Sequence, residues 1–304
     1  MPKHQKSLTV GKAAKIPAKH VEADLMFWRH PTVDDDVNCQ SKNNTESITN
    51  EQQTLNGAHR VTVQDIRGQE SAFTLDRNGF TYVNHEIAEL NQVYSPQCMK
   101  EIIIPKTEQL VRDMSVDPQS TSTNNSELNR SRTGASRTIT FVDRVRCFAT
   151  DTAQLANNRS PAHSVHSDFS IAGALHQLST RMPEECRLLT SRVLIINVWR
   201  PLKTIQRDPL AVCDWRTVEM KDRITSRIAL PSGWTELGRY AFNPRQNWCY
   251  LSGQRPNEPL VFTQFDSHRI DEGGFTVPHT AFVDPLYTGF PARESLEIKM
   301  FAFV

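Results

Sequence analysis

The stretch NWCYLSGQRPNEPLVFTQFD, residues 247–266, places two apolar runs on either side of a segment rich in Gly, Pro and Asn. Residues 247–252 and 260–266 have the length and the aromatic and β-branched content that are typical of strands. The pattern therefore predicts a hairpin whose loop is formed by residues 253–259.

Three further runs have the composition of strands, and they lie at residues 137–148, 192–199 and 295–304. The run at 192–199 is almost continuously apolar, which is typical of a strand that is covered on both faces. Several short strands with hairpin connections favour a mainly β protein with flanking helices over a doubly wound sheet. A jelly roll or a barrel is the architecture that this pattern predicts.

Helical spacing is found in two segments between the strands. In residues 170–182, Ile171, Leu175 and Leu178 would share one face of a helix. Residues 85–105 form a second candidate, which we expect to be interrupted near Pro96 because proline breaks the hydrogen-bond ladder of a helix.

Three polar segments lack the apolar content of a packed core. Residues 1–20 are basic, but they lack both the apolar core of a secretory signal and the arginines of a mitochondrial one, so we expect a flexible arm. Residues 34–53 and 115–137 are predicted to be polar inserts in a single domain spanning 21–304. The second insert is either a mobile lid or a disordered excursion.

Composition excludes several classes of protein. The net charge of the 304 residues is +1, so no overall field attracts nucleic acid or an anionic membrane. No apolar run approaches the roughly 18–20 residues of a membrane span. The six cysteines show no CxxC spacing, which favours reduced thiols in a cytoplasmic protein over a disulfide framework or a zinc ribbon. Composition predicts neither an oligomeric state nor a macromolecular partner.

The segment VHSDFS, residues 165–170, contains His166 and Asp168 in an H-x-D arrangement. In a chain with ten histidines an isolated pair of this kind is more often a hydrogen-bonded pair on the surface. With a distal histidine, however, the pair would form the two-histidine, one-carboxylate set of a non-haem Fe(II) oxygenase. Such a site needs only three protein ligands, because a bidentate co-substrate and dioxygen require the remaining positions.

Three histidines follow the pair and are candidates for the distal ligand. His176 falls within the predicted helix, and His268 follows a turn where it would face solvent. His279 lies in the apolar stretch FTVPHTAFVDP, where it is the best placed of the three, although a core histidine bonded to a backbone carbonyl is the plain alternative.

An Arg-x-Ser pattern, Arg293 and Ser295, follows His279. A guanidinium can hold the distal carboxylate of 2-oxoglutarate in a two-pronged contact, and the serine hydroxyl, two residues on, lies on the same face of a strand. A solvated ion pair between Arg293 and Glu294 is the alternative. The order of the three patterns along the chain favours an iron site with a co-substrate clamp over a surface pair, a core histidine and an ion pair that occur together by chance.

Several longer motifs extend this pattern. The chain contains LIINVWRPL (194–202), PLAVCD (209–214), TGASRTITFVDRVR (133–146) and PARESLEIK (291–299). With the stretch at 57–85 they resemble the fungal and bacterial family of gibberellin-desaturase-like and cephem-7α-hydroxylase-like oxygenases, which also includes hydroxylases of the aspergillic acid pathway. The resemblance runs from about residue 20 to the C-terminus, interrupted by the polar inserts.

The resemblance implies a double-stranded β-helix with Fe(II) as cofactor and 2-oxoglutarate and dioxygen as co-substrates. It implies His166, Asp168 and His279 as iron ligands and Arg293 as the co-substrate clamp. The sequence departs from the family at Asp143, where many relatives have histidine, and at Thr263, where lysine is more usual.

Asp143 and Thr263 are therefore candidates for the substrate pocket. Asn197, a polar residue in an apolar strand, needs a partner, which is either a co-substrate carboxylate, a metal-bound water or a neighbouring strand. Arg200 binds a substrate carboxylate or caps the following loop.

The resulting hypothesis is an oxygenase of secondary metabolism that removes hydrogen from an unactivated C–H bond of a small amino-acid-like or acidic substrate. Hydroxylation, desaturation and oxidative ring closure, including C–N bond formation, remain open. One alternative is a 2-oxoglutarate-independent non-haem iron oxidase, in which Arg-x-Ser binds the substrate carboxylate. The other is a jelly-roll binding protein without catalytic activity.

Overall fold

A computed structural model describes residues 20–30, 56–93, 95–114, 139–149, 161–181, 192–230, 233–271 and 275–304. Two β-sheets contain the strands of these segments, one with eight strands and one with five. The predicted arm at 1–20, apart from its last residue, and the predicted inserts at 34–53 and 115–137 lie outside the described residues.

The large sheet has the strand order β1-β2-β10-β7-β12-β5-β9-β8. Its strands pair antiparallel, except that β10 runs parallel to β2. The strands of this sheet are β1 (Val21–Trp28), β2 (Asn56–Asp65), β5 (His166–Ser167), β7 (Leu210–Cys213), β8 (Arg223–Leu230), β9 (Gly233–Tyr240), β10 (Trp248–Tyr250) and β12 (His279–Ala281).

The small sheet is antiparallel, with the order β3-β11-β6-β13-β4. Its strands are β3 (Phe80–Tyr82), β4 (Ile139–Ala149), β6 (Val193–Pro201), β11 (Leu260–Asp266) and β13 (Glu294–Phe303). The strands predicted at 137–148, 192–199, 260–266 and 295–304 are confirmed here. The mainly β jelly-roll architecture is confirmed as well.

The small sheet is covered on both faces, as the continuous apolar run of β6 predicted. Ile196 and Val198 of β6 pack with Ile298 of β13 against the helical segment that contains Val111. On the opposite face, Trp199 packs with Val212 of the large sheet. The two faces of one strand therefore contribute to two separate parts of the core.

The helices are α1 (Leu75–Asn78), α2 (Pro96–Cys98), α3 (Ile104–Met114) and α4 (Ile171–Arg181), with a π-helical turn at Met99–Ile103. The helix predicted at 170–182 is confirmed by α4. The candidate at 85–105 is displaced, because its first part forms a 3-10 turn and the regular helix continues to Met114. The Ser95 hydroxyl accepts a hydrogen bond from the backbone N–H of Cys98, and Pro96 begins the new turn.

The hairpin predicted at 247–266 is wrong. The strand β10 pairs with β2 and β7 of the large sheet, whereas β11 pairs with β3 and β6 of the small sheet. Residues 253–259 therefore connect one sheet to the other. A Gly/Pro/Asn segment indicates a reversal of direction, but the strand that each side pairs with is decided by long-range contacts.

Within the described residues, the longest helices have only 11 residues, and none is long and apolar enough to cross a membrane.

Candidate active site

Two neighbouring strands of the large sheet bring His166 and His279 together. These residues are direct partners in the antiparallel pairing of β5 with β12, and their ring centroids are 4.4 Å apart. The Nδ1 atom of His166 lies 2.8 Å from the carbonyl oxygen of Ser164, and that of His279 lies 3.1 Å from the carbonyl oxygen of Val277. A carbonyl oxygen can only accept, so each Nδ1–H donates to its own carbonyl. The Nε2 lone pair of each histidine is therefore left for a metal.

Asp168 follows β5 and completes the cluster. Its Oδ1 atom is 3.8 Å from Nε2 of His166 and 3.9 Å from Nε2 of His279. One ligand atom from each of the three residues lies within 4.8 Å of the other two. The three donors thus face one point, in the two-histidine, one-carboxylate combination that holds non-haem Fe(II).

Burial and charge set the protonation states that a metal requires. Burial, followed by the proximity of His279, lowers the pKa of His166 to about 3. Burial also lowers the pKa of His279. For Asp168, burial acts to raise the pKa, but the pKa lies below its usual range, chiefly because the Lys299 ammonium is adjacent to the carboxylate. Two neutral imidazoles and one carboxylate are therefore ready to bind a divalent cation.

The second oxygen of Asp168 is held by the small sheet. Lys299 Nζ of β13 lies 2.5 Å from Oδ2, and Asn197 Nδ2 of β6 donates to the same atom over 3.3 Å. The backbone N–H of Asp168 donates to Oε1 of Gln264 in β11 over 3.2 Å. Three strands of the small sheet therefore contact Asp168, and two of them hold its carboxylate.

The cluster opens into a cavity of about 660 Å³ between the sheets. Helix α4 and the β8–β9 hairpin form part of its wall. The lining combines aromatic and aliphatic side chains with charged ones, among them Phe169, Trp199, Leu210, Leu230, Trp234, Leu237, Phe262, Arg181, Arg293, Glu297 and Lys299. A cavity of this size and mixed lining is typical of small-molecule sites.

Comparison with known proteins identifies the family. Residues 25–303 match the family described as oxidoreductase/YMDC permease-like domain. The hydroxylase/desaturase efuI of Hormonema carpetanum is 32% identical over 266 residues, which cover 80% of this chain and 83% of that protein. The alpha-ketoglutarate-dependent dioxygenase phiK of a fungal species is 28% identical over 246 residues, or 79% of this chain and 82% of that protein.

The chain belongs to the hydroxylase/desaturase family of Fe(II)/2-oxoglutarate-dependent oxygenases. The resemblance inferred from the sequence motifs is thereby confirmed. Among solved structures, the iron and alpha-ketoglutarate-dependent endoperoxidase NvfI superposes on this oxygenase with a TM-score of 0.70, at 21% identity. The match covers 94% of this chain and 98% of that one, so the two proteins share their fold.

Arg293 of the oxygenase precedes β13, and Ser295 lies two residues further along the chain. The Arg293 guanidinium lines the cavity, and its Nη1 donates to the carbonyl oxygen of Asp208 over 2.6 Å. Among the described residues, neither Nε of Arg293 nor Oγ of Ser295 has a hydrogen-bond partner, although both atoms are buried. An incoming carboxylate would satisfy both groups, so these residues fit 2-oxoglutarate. Burial lowers the pKa of Arg293 to about 10, which leaves it charged at neutral pH.

The sequence suggested four other residues for the site, and the three whose side chains the structure describes do not line the cavity. Asn197 reaches Asp168 itself, so its partner is the carboxylate ligand. Arg200 lies outside the cavity, and its Nη1 donates to the carbonyl oxygens of His85 and Pro256 over 2.7 and 3.0 Å. Thr263 is buried in β11 without lining the cavity. Asp143 lies in β4 beside the register shift at Lys299/Met300, and its side chain is outside the described part of the chain.

His268 and His176, the other two candidates for the distal ligand, are not part of the cluster, and only His176 lines the cavity. His268 is in the 3-10 turn that follows β11 and does not line the cavity. His176 of α4 does line it, where its ring stacks on Trp234 with the centroids 4.1 Å apart. His176 therefore belongs to the substrate cavity, away from the ligand set.

Sequence reasoning missed Lys299 and Glu297, which both line the cavity. Their signal is present in ESLEIKMF, where Ser295, Glu297 and Lys299 alternate with the apolar residues of the same strand. A period of two places these polar side chains on the face that carries Arg293. A row of polar side chains on a strand that is buried on both faces indicates a functional site.

Proposed function

We propose that this oxygenase holds Fe(II) with His166, Asp168 and His279 and holds 2-oxoglutarate with Arg293 and Ser295. In this proposal it oxidises an unactivated C–H bond of a small amino-acid-like or acidic substrate of secondary metabolism. The observation that carries the proposal is the convergence of the three ligand atoms, within 4.8 Å of one another, at the wall of a cavity that also contains the Arg293 guanidinium.

Each residue has a defined task in this reaction. The two neutral imidazoles and the Oδ1 atom of Asp168 would hold the metal, and three protein ligands would leave room for the co-substrates. Arg293 and Ser295 bind the distal carboxylate, and so fix the direction from which the co-substrate reaches the metal. Bound Fe(II), together with 2-oxoglutarate and dioxygen, supplies the oxidising power that removes a hydrogen atom from an unactivated C–H bond.

The cavity supports a substrate that is partly apolar and carries an acidic group. Phe169, Trp234 and Leu237 provide apolar walls, and Arg181 provides positive charge. Enclosure between α4 and the β8–β9 hairpin orients one C–H bond and excludes water. Relatives carry the names hydroxylase/desaturase and endoperoxidase, so the outcome at that C–H bond differs among proteins with this fold.

Anaerobic addition of Fe(II) and 2-oxoglutarate tests the metal site. We expect a weak visible metal-to-ligand charge-transfer band in the wild type and in His268→Ala, and none in His166→Ala, Asp168→Ala or His279→Ala. His268→Ala is the matched control because it removes a histidine outside the cavity. A band that survives in His279→Ala but disappears in His268→Ala would show that the distal ligand is His268 and not His279.

Titration of 2-oxoglutarate into the Fe(II)-loaded protein tests the clamp. Loss of one partner of a buried charge pair typically costs about 2–5 kcal/mol, so Arg293→Leu should weaken co-substrate binding by roughly 30-fold or more. Arg293→Lys retains the charge without the two-pronged geometry and should recover part of the affinity. Equal affinities in all three proteins would place the clamp elsewhere.

Succinate release separates the oxygenase from its alternatives. One succinate should form for each substrate oxidised. Substrate oxidation and oxygen uptake without succinate would indicate a 2-oxoglutarate-independent oxidase. Metal binding without oxygen uptake would indicate a binding protein.

A further inference from the structure

The two oxygens of Asp168 have different surroundings. Oδ1 faces Nε2 of both histidines, at 3.8 and 3.9 Å. Oδ2 is turned to the small sheet, where Lys299 Nζ is 2.5 Å away and Asn197 Nδ2 is 3.3 Å away. One oxygen is therefore presented to the metal position, and the other is engaged by protein donors.

We propose that Lys299 is a positioning residue that holds Oδ2 of Asp168 and thereby leaves Oδ1 as the single carboxylate ligand of the iron. This inference rests on the proposed function and adds to it a residue that was not among the predicted ligands or clamps. Asn197 assists as a neutral donor to the same oxygen. With one oxygen engaged, Asp168 would offer the metal a single oxygen and so leave room for the co-substrates.

The location of Lys299 supports this role. Its side chain is only 2% exposed, and its Nζ lies 4.8 Å from the centroid of the Phe169 ring. A buried ammonium requires a strong partner. Asp168 is its ion-pair partner among the described residues, and release of Oδ2 to the metal would weaken that pair.

The charge of Lys299 has a second consequence. A cation that contacts one oxygen of a carboxylate lowers the affinity of the other oxygen for a dication, because two positive charges compete for the same anion. The arrangement thus favours a defined geometry at the expense of metal affinity. Removing the ammonium should therefore tighten metal binding and make its geometry less suitable for the co-substrate.

Mn(II) titration in the absence of 2-oxoglutarate tests the effect of the charge without any measurement of activity. We expect Lys299→Met and Lys299→Gln to bind Mn(II) about 10-fold more tightly than the wild type, and Lys299→Arg to remain within about threefold of it. Lys106→Met is the matched control, because it removes a lysine that pairs with Glu89 over 2.8 Å on a surface remote from the cluster. Unchanged or weaker Mn(II) binding in both neutral variants would overturn the proposal.

Titration of 2-oxoglutarate into the Mn(II)-saturated variants tests the positioning of the oxygen. Lys299→Gln retains a hydrogen-bond donor for Oδ2 and should bind 2-oxoglutarate nearly as well as the wild type. Lys299→Met frees Oδ2 to become a second ligand and should weaken 2-oxoglutarate binding by about 10-fold. An equal loss in both variants would make Lys299 a direct contact of the co-substrate and overturn the proposal.

The role of Lys299 and the proposed function can fail independently of each other. If wild-type Mn(II) protein bound no 2-oxoglutarate, the proposed function would fail, while the metal titrations would still decide the role of the Lys299 charge. Thermal unfolding of each variant identifies a loss of folding. If Lys299→Met does not fold, the Mn(II) affinity of Lys299→Gln decides between a rise, which supports the proposal, and no rise, which overturns it.

Discussion

Arg200 shows how the surroundings of one side chain decide its role. The residue is 1% exposed, and its guanidinium joins β6 to the chain at His85 and Pro256. These contacts lie on the face of β6 opposite to the cavity. Arg200 therefore ties two loops to the small sheet, and the substrate has no access to it.

Arg200→Met should lower the free energy of unfolding without affecting metal or co-substrate affinity. Each buried carbonyl that loses its donor costs about 1–3 kcal/mol. Urea unfolding, together with titration of Mn(II) and 2-oxoglutarate, measures both effects, with the exposed Arg255→Met as control. Unchanged stability combined with weaker substrate binding would contradict this assignment.

His85 makes part of the stability depend on pH. Burial, followed by the charge of Arg200, lowers the pKa of His85, and Arg200 Nη2 lies 2.7 Å from its Nδ1. The unfolded chain has the ordinary histidine pKa of about 6.5. Below that pH the unfolded state binds a proton that the folded state does not, so stability falls as the pH drops from about 6.5 towards the folded pKa.

His85→Gln should therefore reduce the slope of stability against pH below about 6.5, because glutamine does not titrate. Thermal unfolding of metal-free wild type and variant between pH 5 and 7.5 checks this. Since the other histidines are common to both proteins, the difference between the two curves isolates His85. Parallel curves would show that its protonation does not differ between the folded and unfolded states.

Helix α4 and strand β9 approach each other unusually closely, and this contact shapes the cavity wall. A Cβ atom at Gly173 would lie 2.2 Å from the carbonyl oxygen of Glu236. The same glutamate accepts a hydrogen bond from the Ser170 hydroxyl over 2.6 Å and pairs with Arg227 over 2.9 Å. The helix that carries His176 is thus fixed to the β8–β9 hairpin through one residue.

Gly173→Ala should destabilise the protein, although alanine in place of glycine within a helix ordinarily stabilises it by about 0.5–1 kcal/mol. The backbone carbonyl of Glu236 cannot yield to the added methyl group, so α4 has to shift away from β9. Gly289→Ala is the control, because a Cβ there meets no atom within 4 Å. A higher unfolding midpoint for Gly173→Ala would contradict the close approach.

The two sheets supply different parts of the site. The histidines come from the large sheet, whereas Arg293, Ser295, Lys299 and Asn197 come from the small sheet or the residue just before it. A metal and a co-substrate bound together would therefore connect the two layers. Ligands that bind only the folded state stabilise it, by about 2.7 kcal/mol at a concentration 100 times the dissociation constant.

We expect Mn(II) to raise the unfolding midpoint, and 2-oxoglutarate to raise it further only when Mn(II) is present. His279→Ala should lose both effects, and Arg293→Leu should lose only the second. His268→Ala should behave as the wild type does. Stabilisation by 2-oxoglutarate without metal would show that the clamp binds it independently of the cluster.

Local sequence pattern was sufficient to predict the main strands and to nominate the candidate site residues. The order H-x-D, distal histidine, R-x-S places chemically suited residues at strand ends, and the strands β4, β6, β11 and β13 follow from their apolar and β-branched runs. These features depend on residue type and on spacing along the chain, which are properties that a sequence displays directly.

Pairing across the molecule was decided by tertiary contacts. The segment 253–259 crosses between sheets because β10 and β11 each find better partners elsewhere, and no residue inside the segment specifies those partners. The strands β1 and β2 were not predicted, yet every residue of β1 pairs with a residue in the stretch 56–63 of β2. Arg200 faces away from the cavity, and Lys299 meets Asp168 from 131 positions further along the chain. Such contacts depend on strand register and on the packing of the two layers, and neither can be deduced from the residues adjacent in sequence.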